Sequence, residues 1–109
     1  MANEIIGGSF AGSKVPGTLT VVYTVPAGVR VAVATIYLNN TDPSDDVTVG
    51  IYVTRSGSTT ERIYKPVLDS DGGSAIAKIM ALSTGDTIEL IAGKAGVVSF
   101  TISGASGAT

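Results

Sequence analysis

The chain contains no cysteine, no histidine and no tryptophan. Without cysteine there is no thiol nucleophile, no disulfide framework and no thiolate metal ligand. Without histidine, the side chain best suited to moving protons near neutral pH is gone, and the many serines and threonines have no imidazole to activate them. Charge is scarce as well. Asp, Glu, Lys and Arg make up 15% of 109 residues, and seven cations against nine anions leave a net charge of −2. No three consecutive residues are basic, so the electrostatic footprint of nucleic-acid binding is absent. No apolar run nears the roughly 20 residues of a helical membrane span. The start, Met1-Ala2-Asn3-Glu4, lacks the basic stretch of a secretory signal. These absences argue against an enzyme, a cofactor, a nucleic-acid partner and a membrane, and for a chain made in the cytoplasm.

What is abundant points to β-structure. Thirteen valines, ten isoleucines and thirteen threonines form a third of the chain, and fourteen glycines punctuate it. β-Branched side chains fit a pleated surface and lose rotamer freedom in a helix. The length suits one domain with a modest core. Residues 1–17 mix four glycines with Ile5, Ile6 and Phe10, and read as a flexible Gly/Ser-rich N-terminal arm whose apolar residues dock on a core or a neighbour. Residues 18–109 read as a single β-sandwich domain.

From Thr18 the apolar pattern has period two. Leu19, Val21, Tyr23 and Val25 share one face of a strand that Pro26-Ala27-Gly28 turns. Val29–Leu38 follows, with Val29, Val31, Val33, Thr35 and Tyr37 on one face and Arg30, Ala32, Ala34, Ile36 and Leu38 on the other. Asn39–Asp46 breaks it. Val47, Val49, Ile51 and Val53 alternate next, and Glu61–Val67 contains Pro66, which suits a sheet edge. Ala75–Leu82 reads as extended or partly helical. Ile88 and Leu90, then Val98, Phe100 and Ile102, complete the inward set. Seven to eight short strands with frequent turns predict an antiparallel β-sandwich, jelly-roll-like. Val31, Val33, Ile51 and Phe100 are expected to share its core.

A sandwich strand meets the core with one face. The apolar second face of Arg30–Leu38 therefore needs a cover, and Ala32, Ala34, Ile36 and Leu38 are expected at a homo-oligomeric contact, with a trimer as the first arrangement to consider. The competing reading folds the N-terminal arm over that face.

Other clusters carry less. Asp42, Asp45 and Asp46 offer oxygens of the kind calcium takes, but their spacing is not that of an EF-hand loop, and Asp, Pro and Ser are also what turns require. No metal is expected. Asp69 and Asp71 raise the same question more faintly. A Glu61–Asp86 carboxylate pair has nothing to single it out. Tyr23, Tyr37, Tyr52 and Tyr64 lie within strands, where packing is favoured over a sugar-stacking platform.

Three segments together carry a resemblance: Thr24-Val25-Pro26-Ala27-Gly28, Asn39-Asn40-Thr41-Asp42, and Leu82-Ser83-Thr84-Gly85-Asp86-Thr87-Ile88. In this order they resemble small virion structural proteins of tailed bacteriophages, such as head decoration or cement proteins and tail- or fibre-associated proteins. The last turn also resembles one in jelly-roll domains of the complement globular-head and tumour-necrosis-factor type. The resemblance implies a non-enzymatic virion protein that decorates or cements the capsid, or belongs to the tail. Its implied partners are itself and a major capsid or tail protein. The alternative is a carbohydrate- or receptor-binding β-sandwich.

Overall fold

The alternating runs become strands. The computed structural model describes residues 5–108, as backbone alone over 5–11, and among these there are nine strands and no helix. They are β1 (Ile5–Lys14), β2 (Thr20–Thr24), β3 (Val29–Asn40), β4 (Val47–Thr54), β5 (Thr60–Tyr64), β6 (Val67–Leu68), β7 (Ser74–Leu82), β8 (Thr87–Ala92) and β9 (Val98–Ala108). Every pairing is antiparallel. One sheet has the order β1-β9-β3-β7. The other has β2-β8-β4-β5, with β6 also on β4. The pairings are nested: β1 with β9, β2 with β8, β3 with β7 and β4 with β5, like one long hairpin folded over on itself.

The expected sandwich is present, with nine strands where seven to eight were expected. The additional elements are β1 and the two-residue β6, which Lys65-Pro66 separates from β5. The segment read as an arm holds a strand instead: Ile5–Lys14 pairs with β9 along its length. Where the side chains of Ile5, Ile6 and Phe10 go lies outside the described residues. Ala75–Leu82, the stretch compatible with helix, is extended within β7 because pairing with β3 satisfies its backbone.

The core lies between the sheets. Val31, Ile36 and Leu38 from β3 and Val98, Phe100 and Ile102 from β9 meet Val49 and Ile51 from β4 and Ile88 and Leu90 from β8. Each of these large side chains contributes about 1.5–3 kcal/mol on leaving water.

The faces of β3 are a correction. On β9 the partners of Val31 and Val33 are consecutive, Ser106 and Ala105, so Ala32 is an extra residue in β3. This bulge changes which alternate residues point inward. Val31 is inward before it, whereas Ala34, Ile36 and Leu38 are inward after it, all three with no exposed surface. Three of the four residues expected at a subunit contact therefore belong to the chain's own core. Val33, expected inside with Val31, Ile51 and Phe100, is only partly buried, and Tyr37 is 44% exposed. A second bulge, between Val21 and Tyr23, does the same to β2. It leaves Val25 in the core and turns Leu19 and Val21 outward.

Candidate functional site

At one end of the sandwich the two acidic segments converge. Buried Asn40, the last residue of β3, donates from Nδ2 to the carbonyls of Asp45 (2.9 Å), Leu68 (3.1 Å) and Asp69 (3.2 Å). Its Oδ1 accepts from the amide of Asp42 at 2.9 Å. Asp42 Oδ1 accepts in turn from the amides of Ser44 (2.9 Å) and Asp45 (3.0 Å), while Oδ2 holds Lys94 Nζ. Lys94 also reaches Asp45 at 3.0 Å. The lysine hydrogen bond and the two amides hold the Asp42 carboxyl well below the usual carboxylate range, and Asp42 and Asp45 push Lys94 up. The turn over residues 69–73 closes on this knot through Asp71 N to Asp42 O (2.6 Å) and Gly72 N to Asn40 O (2.8 Å). Asp42 and Asp45 thus serve the chain's own amides and lysine. Among the described residues no group of three or more His, Cys, Asp or Glu side chains is placed to hold a metal ion.

The other end has its own clasp. Buried Asp86 accepts from the amides of Ser56 and Ser83, each at 2.8 Å, and pairs with Arg55 at 3.5 Å. Burial works against its charge, but the two amides and the guanidinium prevail and lower its pKa. Arg55 donates onward to the carbonyls of Ala81 (2.9 Å) and Met80 (3.3 Å), so it ties the β4–β5 turn to the far end of β7. Ala81 there adopts φ 58°. The carbonyl of Asp86 accepts from Val25 N at 3.0 Å, which brings in the end of β2. The Asp86 carboxylate is accounted for by these contacts, and Glu61 sits exposed on β5, so the two form no pair with a shared task.

The remaining features lie on the outer faces of the sheets. On the four-stranded sheet, Tyr37 stands opposite Ile76, Thr35 opposite Lys78 and Val33 opposite Met80. Tyr37, Ile76 and Met80 are 44, 59 and 62% exposed, a degree of apolar exposure that marks association surfaces when it is contiguous. Sequence reading missed this strip because it assigned Tyr37 to the inner face. The alternation of Ile76, Lys78 and Met80 was visible, but without the strand assignment it had no face to belong to.

On the other sheet, Glu89 is buried between Thr54, which donates to Oε1 at 2.9 Å, and Thr87, which donates to Oε2. Beside it runs an open groove of about 440 Å³ floored by Gly50 and flanked by Tyr52, Ile91 and Lys65. A side chain at Gly50 would collide with the Tyr52 ring, 2.8 Å from the Cβ position. Glycine there lets the ring lie down along the sheet. Among the tyrosines, Tyr23 packs on the core, Tyr52 is half-buried, and Tyr37 and Tyr64 are exposed.

No family model matches this chain, and no curated protein matches it. Its likeness is to solved structures. A Bacillus endospore appendage protein, of a family that forms disulfide-linked pili, superimposes with a TM-score of 0.61 at 16% identity, over 97% of this chain and 89% of that one. The Eiger TNF of S. frugiperda superimposes at 0.57 with 13% identity, over 96% and 92%. A pentameric capsid protein from metagenomic phage sequences overlays more loosely, at 0.46 with 18% identity over 92% and 68%. At these identities the first two establish the architecture, an antiparallel β-sandwich spanning the whole described chain.

Proposed function

We propose that this protein is a non-enzymatic structural subunit of a tailed-bacteriophage virion, which associates with copies of itself and decorates or cements the capsid or forms part of the tail. Its nested strand order reads as a jelly roll, an architecture that serves viral shells and lectins alike. Fold alone therefore does not decide between the two uses. The observation that carries the assembly reading is the apolar outer strip of Tyr37, Ile76 and Met80, with Lys78 as the one charge among β7's residues. A free monomer of this size normally covers such a face with Lys and Glu. The pilus protein of similar fold belongs to a disulfide-linked assembly; this chain has no cysteine, so a disulfide link is not open to it. Mass spectrometry of purified particles tests the reading. The protein is expected at a stoichiometric multiple of the major capsid or tail subunit, and its absence from intact particles overturns the assignment.

A second reading, a carbohydrate- or receptor-binding module, is favoured by one observation, the groove over Gly50 beside Tyr52. Retention on a glycan array that Tyr52→Ala abolishes, with no protein on particles, would establish it in place of the first.

A further inference from the structure

A sheet edge is a row of unpaired backbone donors and acceptors, and proteins normally blunt it with bulges, charges or proline. Three of the four edges here are blunted. The ladder of β1 shifts between Ser9 and Ala11, and that of β2 between Val21 and Tyr23. β5 is five residues long, contains Glu61 and Arg62, shifts against β4 and runs into Lys65-Pro66. The fourth edge differs. β7 pairs with β3 from Ser74 to Met80 without a shift, has no proline, and carries the single charge of Lys78.

We propose that the free edge of β7 pairs antiparallel with β7 of a second copy about a two-fold axis at Ala77, joining two four-stranded sheets into one of eight strands. The inference rests on the assembly reading above and names the contact. Charge and backbone geometry fix the register. Residues directly opposite in an antiparallel pair share a face, so two copies whose cores lie on the same side of the joined sheet must be related by an axis at a residue. An axis at Lys78 sets two ammonium groups against each other, which is destabilising. An axis at Ile79 sets Ala77 against Ala81, where the left-handed backbone ends the extended line and Arg55 already holds the carbonyls of Met80 and Ala81. An axis at Ile76 engages only Ser74–Lys78. With the axis at Ala77, Ser74–Met80 of each copy runs alongside Ser74–Met80 of the other, Lys78 of each copy lies opposite Ile76 of the other, and Ser74 lies opposite Met80. Across the joint each Ile76 also has the Ile76 of the other copy as its diagonal neighbour on the outer face. A two-fold contact builds dimers, so the trimer expected from sequence would need a different surface.

The register makes the contact testable by charge. Ile76 is 59% exposed in the single chain, so charged substitutions there leave the fold intact, which circular dichroism verifies. Sedimentation equilibrium of the full chain from micromolar to millimolar concentration is expected to show reversible dimers. Ile76→Lys, which faces Lys78 of the other copy twice per dimer, is expected to weaken association roughly tenfold. Ile76→Glu, facing the same lysines, is expected to preserve or tighten it, with the difference shrinking at high salt. If the parent associates but the two variants behave alike, the β7 contact is wrong and the assembly reading stands. If the parent remains monomeric at millimolar concentration, both fall.

Discussion

Gly104 supports the bulge that sets the inner face of β3, and replacing it with alanine isolates that role. Gly104 stands opposite Ala34, and Val33 is the residue after the extra Ala32. A Cβ at position 104 would lie 2.0 Å from the Val33 carbonyl oxygen, 3.0 Å from its carbon and 3.2 Å from Ala34 Cα. These are backbone atoms, so no rotamer change relieves the overlap, and β9 would have to separate from β3 by more than an ångström. Gly104 also has φ +156°, where a side chain adds strain. Overpacking of this kind costs about 1–3 kcal/mol and a strained backbone about as much again, for a total of about 2–6 kcal/mol. That is a large part of the roughly 5–15 kcal/mol that holds a domain folded. At about 4–8 °C per kcal/mol, the melting temperature is expected to fall by about 8 °C or more. Gly28→Ala provides the control, because Gly28 has φ +76° but nothing within 4 Å of its Cβ position. It is expected to cost only about 1 kcal/mol of backbone strain. Thermal melts followed by far-ultraviolet circular dichroism compare the two. If Gly104→Ala melts no lower than Gly28→Ala, β9 does not approach β3 as described and the account of the bulge fails.

Ala34→Arg is expected to abolish the cooperative melt, since the site has no exposed surface, whereas Tyr37→Arg, three residues along, is expected to keep it. Equal tolerance of the two would restore the original assignment of faces. Ile36→Ala should lower stability by about 2–5 kcal/mol, measured by urea unfolding; a loss below 1 kcal/mol would place Ile36 outside the core. The pKa values of Asp42 and Asp86 are lower in the folded chain than in the unfolded one, so their stabilisation is present above the unfolded value of about 4 and is lost as pH falls through the folded values. Acid titrations of Asp42→Asn and Asp86→Asn should therefore show a weaker decline in stability below pH 4 than the parent; superimposable curves after normalisation would refute the role given to these carboxylates.

The strands were legible because alternation is a local property. Val47 to Val53 and Val98 to Ile102 show it without interruption, and both runs point inward as read. What could not be read was phase across a bulge. Ala32 looks like any other residue of an apolar run, yet one unpaired residue there moves Ala34, Ile36 and Leu38 from the outer face to the core. The bulge is a property of two strands: its partner positions, Ser106 and Ala105, lie more than 70 residues away in a tail that reads only as small residues. β1 escaped notice for a related reason, since its glycines look like an arm until β9 is placed beside it.

The turn segments were legible as turns, but their polar residues do more than turn the chain. Asn40 and Asp42 connect three loops at one end of the sandwich, and Asp86 with Arg55 connects the others at the opposite end. A receptor-binding sandwich that works through its loops needs side chains there with unused hydrogen-bonding capacity. Here the buried carboxylates and the buried asparagine at the loop ends are satisfied from within, and no buried side-chain polar atom among the described residues lacks a partner. Exposed apolar surface, by contrast, lies on the flanks, and includes the strip of Tyr37, Ile76 and Met80 beside the regular edge of β7. Clasped ends and exposed apolar flanks are what the proposed assembly requires of a subunit that meets its neighbours side by side.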